Sequence, residues 1–520
     1  MASTTQTPPA HLRVLRKFGI NETYQLAMYL LDQYRGTSLS CRYAIPARMA
    51  SPESRPQLEQ AVTAAVLDII AKHPMLQVGT KNATAKTPSW VQLPRLNLSE
   101  HIQWLYLEAN DDFAQRVQQV FAEQLDDKYP DFEEFLPHWK VTVIRQGPAS
   151  TEMEVLLTWN HQHFDGAGAR VLQEDLLASL NAMLNADSKD KRSTTAQAST
   201  LPTNTLTLPS SPPPNLPVPI EKLAKLSVGV GHFLRTVYQE TRPPILTRDP
   251  SFAKWCPIRS GVPYKTQFRC FDVDAAALKT LIASCRENQT TITGLMHGLA
   301  LVSFARHLRK DRATAFQCST VMDHRRNLPA DGTADGPWGG KDRAHSSQLV
   351  ARIRGLLDPL SREKMGTEYF LSTELVREVW AVSAQSRKEI ARQLELGLKN
   401  DIVGMFKFVG DWQQTMKEMA KRPRQFSWLV TNIGVLDGQG KRGGGDGGGV
   451  ENSVGWSITR AQFGPSAETP AGAIEFSPAS VAGGAMCVGA NWHDCAVDVE
   501  LGEAVVGDME RWLNQLAREK

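Results

Sequence analysis

Met153-Glu-Val-Leu-Leu-Thr-Trp159-Asn160-His161-Gln-His163-Phe-Asp165-Gly166-Ala-Gly168 is the stretch from which the rest of the chain can be read. Met153, Val155, Leu157 and Trp159 alternate with Glu154, Leu156 and Thr158, which is the period of a half-buried strand. Asp165-Gly166 breaks the alternation. From Ala169 onward Val171, Leu172, Leu176, Leu177, Leu180 and Leu184 recur at helical spacing. A strand therefore enters a sharp turn and leaves it as a helix, with His161 at the strand's end. Continued pleating would put its imidazole on the face of Trp159 and Leu157, against the interior. An imidazole is the side chain best matched to moving protons near neutral pH.

By residue pattern alone, His161-Gln-His163-Phe-Asp165 has four readings. The two histidines can be satisfied polar groups at a strand end, with Asp165 the N-cap of the helix that follows. They can begin a metal site, although two-metal hydrolases with this spacing place another histidine where Gly166 stands. A histidine can assist a nucleophile, but Gly-x-Ser-x-Gly is absent from the chain. Finally, a histidine can act alone as general base while the aspartate holds the loop's shape. Gly166-Ala-Gly168-Ala-Arg-Val171 carries valine where a dinucleotide fingerprint needs its third glycine. No Walker A sequence occurs. The glycine-dense tract after Lys441-Arg442 reads as a solvated loop rather than a phosphate cradle.

Composition narrows the setting. A chain of 520 residues exceeds one compact core, so two large lobes are expected. Hydrophobic content of 42% and charged content of 22% are ordinary for a globular protein. A net charge of +3 gives no case for nucleic-acid binding. The seven cysteines are odd in number and scattered, with no C-x-x-C pair, which predicts reduced thiols and no disulfide frame or zinc knuckle. Without a secretory leader or an apolar run of about 20 residues, the reading is a soluble, cytoplasmic protein with no transmembrane segment.

Along the chain, helices are predicted over 23–34, 57–72 and 111–123, and strands over 40–45, 75–78, 90–93, 104–107 and 139–144. The leucines and methionine of 23–34 suit either a membrane surface or, preferably, core packing. His73-Pro74 closes the second helix, because proline disfavours helix in its predecessor. Residues 1–190 form an N-terminal lobe, 191–222 a Pro/Ser/Thr-rich exposed linker, and 223–520 a C-terminal lobe of the same style. There, strands are predicted over 265–273, 315–322, 426–433, 453–463, 471–476 and 485–492. Helices are predicted over 275–286, from Thr293 as cap through 309, and over 346–357, 374–396 and 502–518. Strands and helices mix throughout, so the class is α/β.

These residues resemble a known family. His161-x-x-x-Asp165-Gly166 at a strand–helix junction is similar to the signature of the chloramphenicol-acetyltransferase-like superfamily, which includes plant acyltransferases and peptide-synthetase condensation domains. His73-Pro74-Met-Leu76, Trp139-Lys-Val-Thr-Val and Val321-Met-Asp323-His-Arg325 resemble further segments of that family, in order. Phe18-Gly-Ile-Asn-Glu22-Thr-Tyr24 and Val430-Thr-Asn432-Ile-Gly434 resemble its fungal alcohol acetyltransferase branch. The plant branch's Asp-Phe-Gly-Trp-Gly is absent, and the histidine common before the motif histidine is Asn160 here.

The resemblance implies two similar lobes, each a mixed sheet flanked by helices, with a channel between them. It implies an O-acyltransferase that moves acetyl, or another acyl group, from coenzyme A to a small-molecule alcohol by direct attack. His161 would be the general base, and Asp165 would pair with Arg325, or failing that Arg326, as architecture beside Gly166. Thr431, Asn432, Ser457 and His163 are candidates for oxyanion or substrate contact. Acyl-CoA would be a co-substrate, with no permanently bound cofactor and no metal. The alternatives are an acyl carrier protein as donor and a non-catalytic binding relative.

Overall fold

The Glu152–Trp159 strand is buried along both faces rather than one, because it lies in the middle of a five-stranded sheet. In the computed structural model that sheet runs Ser457–Pro465, Thr37–Ala44, Glu152–Trp159, Trp139–Gln146, Ile102–Leu107. All its pairings are antiparallel except the last. A buried charge needs a partner, and the polar residues of the strand have theirs. Glu154, fully buried, accepts from the Ser40 hydroxyl at 2.7 Å and from Arg42 Nε at 3.0 Å. Thr158 bonds Ser38 at 2.8 Å and donates to Gln124 Oε1 at 2.8 Å. Met153, Val155, Leu157 and Trp159 share one core with Leu58, Val62 and Val66 of helix Arg55–Lys72 and Leu172, Leu176 and Leu180 of helix Gly166–Lys189. Leu156 points the other way, to Phe121 and Phe268.

The structure describes residues 12–128, 136–189, 204–211, 213, 216–241, 249–259, 263–328, 338–357, 368–439 and 455–519. A second mixed sheet runs Thr266–Val273, Met486–His493, Ile474–Val481, Trp428–Val430, Phe316–Asp323, Trp338–His345. Its central pairings are parallel. On one face Trp428, Val430, Ile474, Phe476, Val488 and Trp492 pack with helices Ile292–His307 and Val499–Arg518. Alternation sends Leu429, Glu475 and Asn491 to the opposite face. That face meets the other lobe: a side chain at Gly489 would run into the Phe463 carbonyl, and one at Gly464 into the Phe268 ring. The fold is thus the expected α/β class, two lobes each built on a mixed sheet with helices. Strand Ser457–Pro465, although it lies late in the chain, completes the first lobe's sheet beside Thr37–Ala44.

Several local expectations change. Thr205–Thr207, inside the Pro/Ser/Thr-rich segment, pairs with Arg95–Asn97, so a described part of the expected linker is a strand against the first lobe. Residues 190–203 and 440–454 lie outside the described residues. Met75–Val78 is not a strand: Pro74 starts a short 3-10 turn over Pro74–Gln77, and the strand is Val78–Lys81. The cap of helix Ile292–His307 is Thr291, whose hydroxyl accepts from Gly294 N, two residues ahead of Thr293. Trp338–His345 was not anticipated, because Gly339-Gly340 and three successive charged residues hide an edge strand. Helix Ile20–Leu30 buries Leu26, Ala27, Met28 and Tyr29. Among the described residues no helix is long and apolar enough to cross a membrane, and all seven cysteines are free.

Candidate active site

The pleat stops at Trp159. Asn160 Oδ1 accepts from Gln162 N at 3.3 Å and the Asn160 carbonyl accepts from His163 N at 3.0 Å, so the chain turns before His161 can follow Trp159 inward. The Trp159 ring instead stacks on Phe164 at 4.9 Å. Asn160 and Gln162 are 1% exposed, Phe164 6% and Asp165 7%, whereas His161 between them is partly exposed. Of the polar side chains in the turn it alone keeps more than slight exposure. Its ring lies beside Tyr34, with centroids 5.8 Å apart. Desolvation holds its pKa below the ordinary imidazole value, against a weaker upward pull from the Asp165 charge and from its own backbone. The neutral form is therefore favoured.

Asp165 is both a helix cap and half of an ion pair. Its Oδ1 accepts from Gly168 N at 2.8 Å, as an N-cap does. Arg325 also grips it bidentately, Nη2 to Oδ1 at 2.8 Å and Nη1 to Oδ2 at 2.9 Å. Burial pushes the carboxyl up, but Arg325, the Gly168 amide and His161 together outweigh it, leaving a pKa below the usual range. Arg326 points elsewhere, donating to the Leu394 carbonyl at 3.3 Å.

His163 does not face an acceptor. Its Nδ1 meets the Met75 carbonyl at 3.2 Å and its Nε2 accepts from His138 N at 3.2 Å, so both ring nitrogens are taken and the ring is neutral. Burial lowers its pKa to about 3. His161, His163 and Asp165 consequently do not converge on a metal: one imidazole is spent on backbone and the carboxylate on a guanidinium. A separate trio, His493, Asp494 and Cys495, has ligand atoms within 4.8 Å of one another. There Cys495 Sγ and His493 Nδ1 are already hydrogen-bonded at 2.9 Å.

Thr431 and Asn432 lie between Trp428–Val430 and Gly434–Leu436, which both pair with Ile474–Val481, where the second sheet passes over the motif. A side chain at Gly166 would meet Ile433 Cγ2 at 2.7 Å and the Phe463 ring at 3.1 Å, and Arg170 donates to the Ile433 carbonyl at 3.3 Å. Asn432 Nδ2 donates to the Thr293 hydroxyl at 3.2 Å, and the Thr431 hydroxyl to Glu475. Ser457 is remote. It pairs with Ala44, whereas Trp159, two residues before His161, pairs with Thr37, which puts it ~23 Å along the strand from that end. Sequence reasoning also passed over Tyr34, Glu468 and Glu475. Tyr34 follows a helix and precedes Gly36, and no periodicity marks a residue whose partner is 127 positions away.

The model of the family described as alcohol acetyltransferase matches residues 95–435. A curated relative, the probable alcohol acetyltransferase FCK4 of Fusarium pseudograminearum (strain CS3096), is 22% identical over 528 residues, covering 98% of this chain and 96% of its own. Among solved structures, the trichothecene 15-O-acetyltransferase TRI3 from Fusarium sporotrichioides superposes with a TM-score of 0.64 at 13% identity, covering 99% of this chain and 100% of that one. The epimerization domain of tyrocidine synthetase B does so at 0.54 and 12%, covering 98% and 99%. At those identities the structural likeness speaks to the fold alone.

Proposed function

The chain belongs to the alcohol acetyltransferase family and is an acyltransferase, and on that premise we propose that it transfers acetyl from coenzyme A to the hydroxyl of a small-molecule acceptor with His161 as general base. The observation that carries this reading is the partly exposed, neutral-favouring imidazole set in a turn whose other polar side chains are buried. The acceptor's O–H proton moves to the free ring nitrogen as its oxygen attacks the thioester carbonyl. The C–S bond then breaks, and the departing thiolate takes that proton back. Asp165, paired with Arg325 and capping the helix, holds the turn's shape and does not touch the reacting atoms. Of the two candidates beside the motif, the Thr431 hydroxyl is committed to Glu475, and Asn432, whose Nδ2 keeps a hydrogen beyond the one given to Thr293, is where a donor to the tetrahedral oxyanion is sought.

General-base assistance is worth about 10²–10⁴ in rate. Purified protein given labelled acetyl-CoA and a panel of alcohols should form acetyl esters, and His161→Ala should stay folded while losing activity by that factor. A His161→Ala protein that keeps most of its rate removes the base. Ester formed only when acetyl is supplied on an acyl carrier protein replaces the donor.

A further inference from the structure

The face of the second sheet that looks toward the first lobe holds a set of buried acceptor atoms that the base mechanism leaves unused. Glu475 and Asn491 are directly opposed across neighbouring strands, which puts their side chains side by side, and they are 5% and 2% exposed. One oxygen of Glu475 takes the Thr431 hydroxyl, and its other oxygen has no hydrogen-bond partner among the described residues. Asn491 Oδ1 is buried and also without one among them. Glu468 comes in from the connection after strand Ser457–Pro465, with Oε1 accepting from the Tyr24 hydroxyl at 3.1 Å. These three residues, with Arg424 and His493, line a cavity of about 10 Å³, room for about one water molecule or one hydroxyl group. Leaving a buried carbonyl oxygen unpaired costs about 1–3 kcal/mol, so the site is built for something that donates to it.

We propose that Glu475, with Glu468 and Asn491, is an acceptor-recognition subsite that binds a second hydroxyl group of the alcohol, so that the preferred acceptor is a polyol rather than a simple alcohol. This rests on the acyl-transfer reading above. Placement ties the subsite to the base: the Tyr34 ring lies 5.8 Å from that of His161. Thr469 N, next to Glu468, donates to the carbonyl of Gln33, next to Tyr34, at 2.8 Å, and the Thr431 hydroxyl that Glu475 accepts lies two residues from Ile433, which packs on Gly166 of the motif turn. A neutral donor fits better than a cation, because Arg424 lines the same cavity, its Nη1 donating to the Ala471 carbonyl at 2.9 Å and to that of Gly472 at 3.2 Å. Burial also lifts Glu468 to about 7 and Glu475 to about 8. The alcohols are therefore compared at pH 9, where Glu475 is ionised and its second oxygen only accepts.

The test compares octan-1-ol with the series of octanediols, acetyl-CoA being the donor. Wild type should prefer at least one diol spacing by about tenfold in kcat/KM, expressed in KM, the size expected for one hydrogen bond to a buried carboxyl. Glu475→Gln keeps the bond to Thr431 and turns the free acceptor into a donor. It should raise KM for the preferred diol about tenfold, well beyond any change with octan-1-ol, and Glu475→Leu should do the same. Thermal stabilisation by the preferred diol without acetyl-CoA, lost in Glu475→Gln, reads the subsite independently of catalysis. Octanol acetylated with no diol preferred or stabilising overturns the subsite and spares the acyl-transfer reading. A diol that stabilises wild type but not Glu475→Gln, with no alcohol acetylated, does the reverse. Equal losses on octanol and diol in Glu475→Gln make the residue structural and overturn the subsite.

Discussion

His161 is set apart from its neighbours by a turn and by desolvation, and both have measurable consequences. Because burial lowers its pKa, the base form persists on acidification further than a free imidazole of about 6.5 would allow. The acidic limb of kcat/KM should therefore fall below pH ~6.5. Asp165 pulls that pKa upward, so Asp165→Asn should move the limb to still lower pH in whatever activity survives. A limb above 6.5, or an upward move, would contradict the assignment. Much of this was legible in the sequence, since His161, Asp165 and Gly166 are neighbours in one short turn. His163 was not, because its ring nitrogens are engaged by Met75 and His138, 88 and 25 positions away. Two histidines two residues apart look alike until the backbone around each is known.

At the level of elements, the motif depends on the close passage of the Thr431–Gly434 segment over the start of helix Gly166–Lys189. Gly166 is required by contact rather than by backbone angle. An added Cβ would sit 2.7 Å from Ile433 Cγ2 and 3.1 Å from the Phe463 ring. Gly166→Ala should cost about 1–3 kcal/mol, as overpacking does. Gly166→Ala/Ile433→Ala removes the clashing methyl and should be less destabilised than the sum of the two single changes, measured by urea unfolding. Strict additivity would mean that the two elements do not press on each other. Of the expected strand Phe426–Ile433 the regular part is Trp428–Val430; Thr431 N and Ile433 N still donate to the Phe476 and Pro478 carbonyls, and regular pairing with the same strand resumes at Gly434–Leu436. Regular strands and helices with an apolar face were legible from period alone. The polar edge Trp338–His345 and the three-residue Thr205–Thr207 were not, because hydrogen bonding to a neighbour rather than apolar patterning holds them.

Across the whole molecule, side chains of the two lobes meet at several places, and Asp165–Arg325 is the ion pair at the motif turn itself. Arg460 of the crossing strand, 3.0 Å from both oxygens of Asp272, ties the same lobes at another edge. Breaking a buried pair costs about 3–5 kcal/mol; Arg325 is 35% exposed and Asp165 9%, so solvent screening brings the expected loss for Arg325→Leu to about 1–3 kcal/mol. Its pH dependence identifies the cause. In wild type the Asp165 pKa lies below its unfolded value, so its stabilisation is complete above pH ~4 and is lost as pH falls through the lower, folded value. Without Arg325, desolvation is opposed only by the Gly168 amide and His161, so the carboxyl's pKa rises relative to wild type and the variant loses most at neutral pH, where the carboxyl is charged. The stability gap between wild type and Arg325→Leu should therefore be widest near pH 7 and narrow toward pH 4 in urea titrations. Most of that pH dependence should vanish when both proteins also carry Asp165→Asn, the remainder coming from Asp323, 3.2 Å from Arg325 Nη1. A gap that stays constant from pH 7 to 4 would show that Arg325 stabilises through packing of its stem, and that charge does not join the lobes at this point.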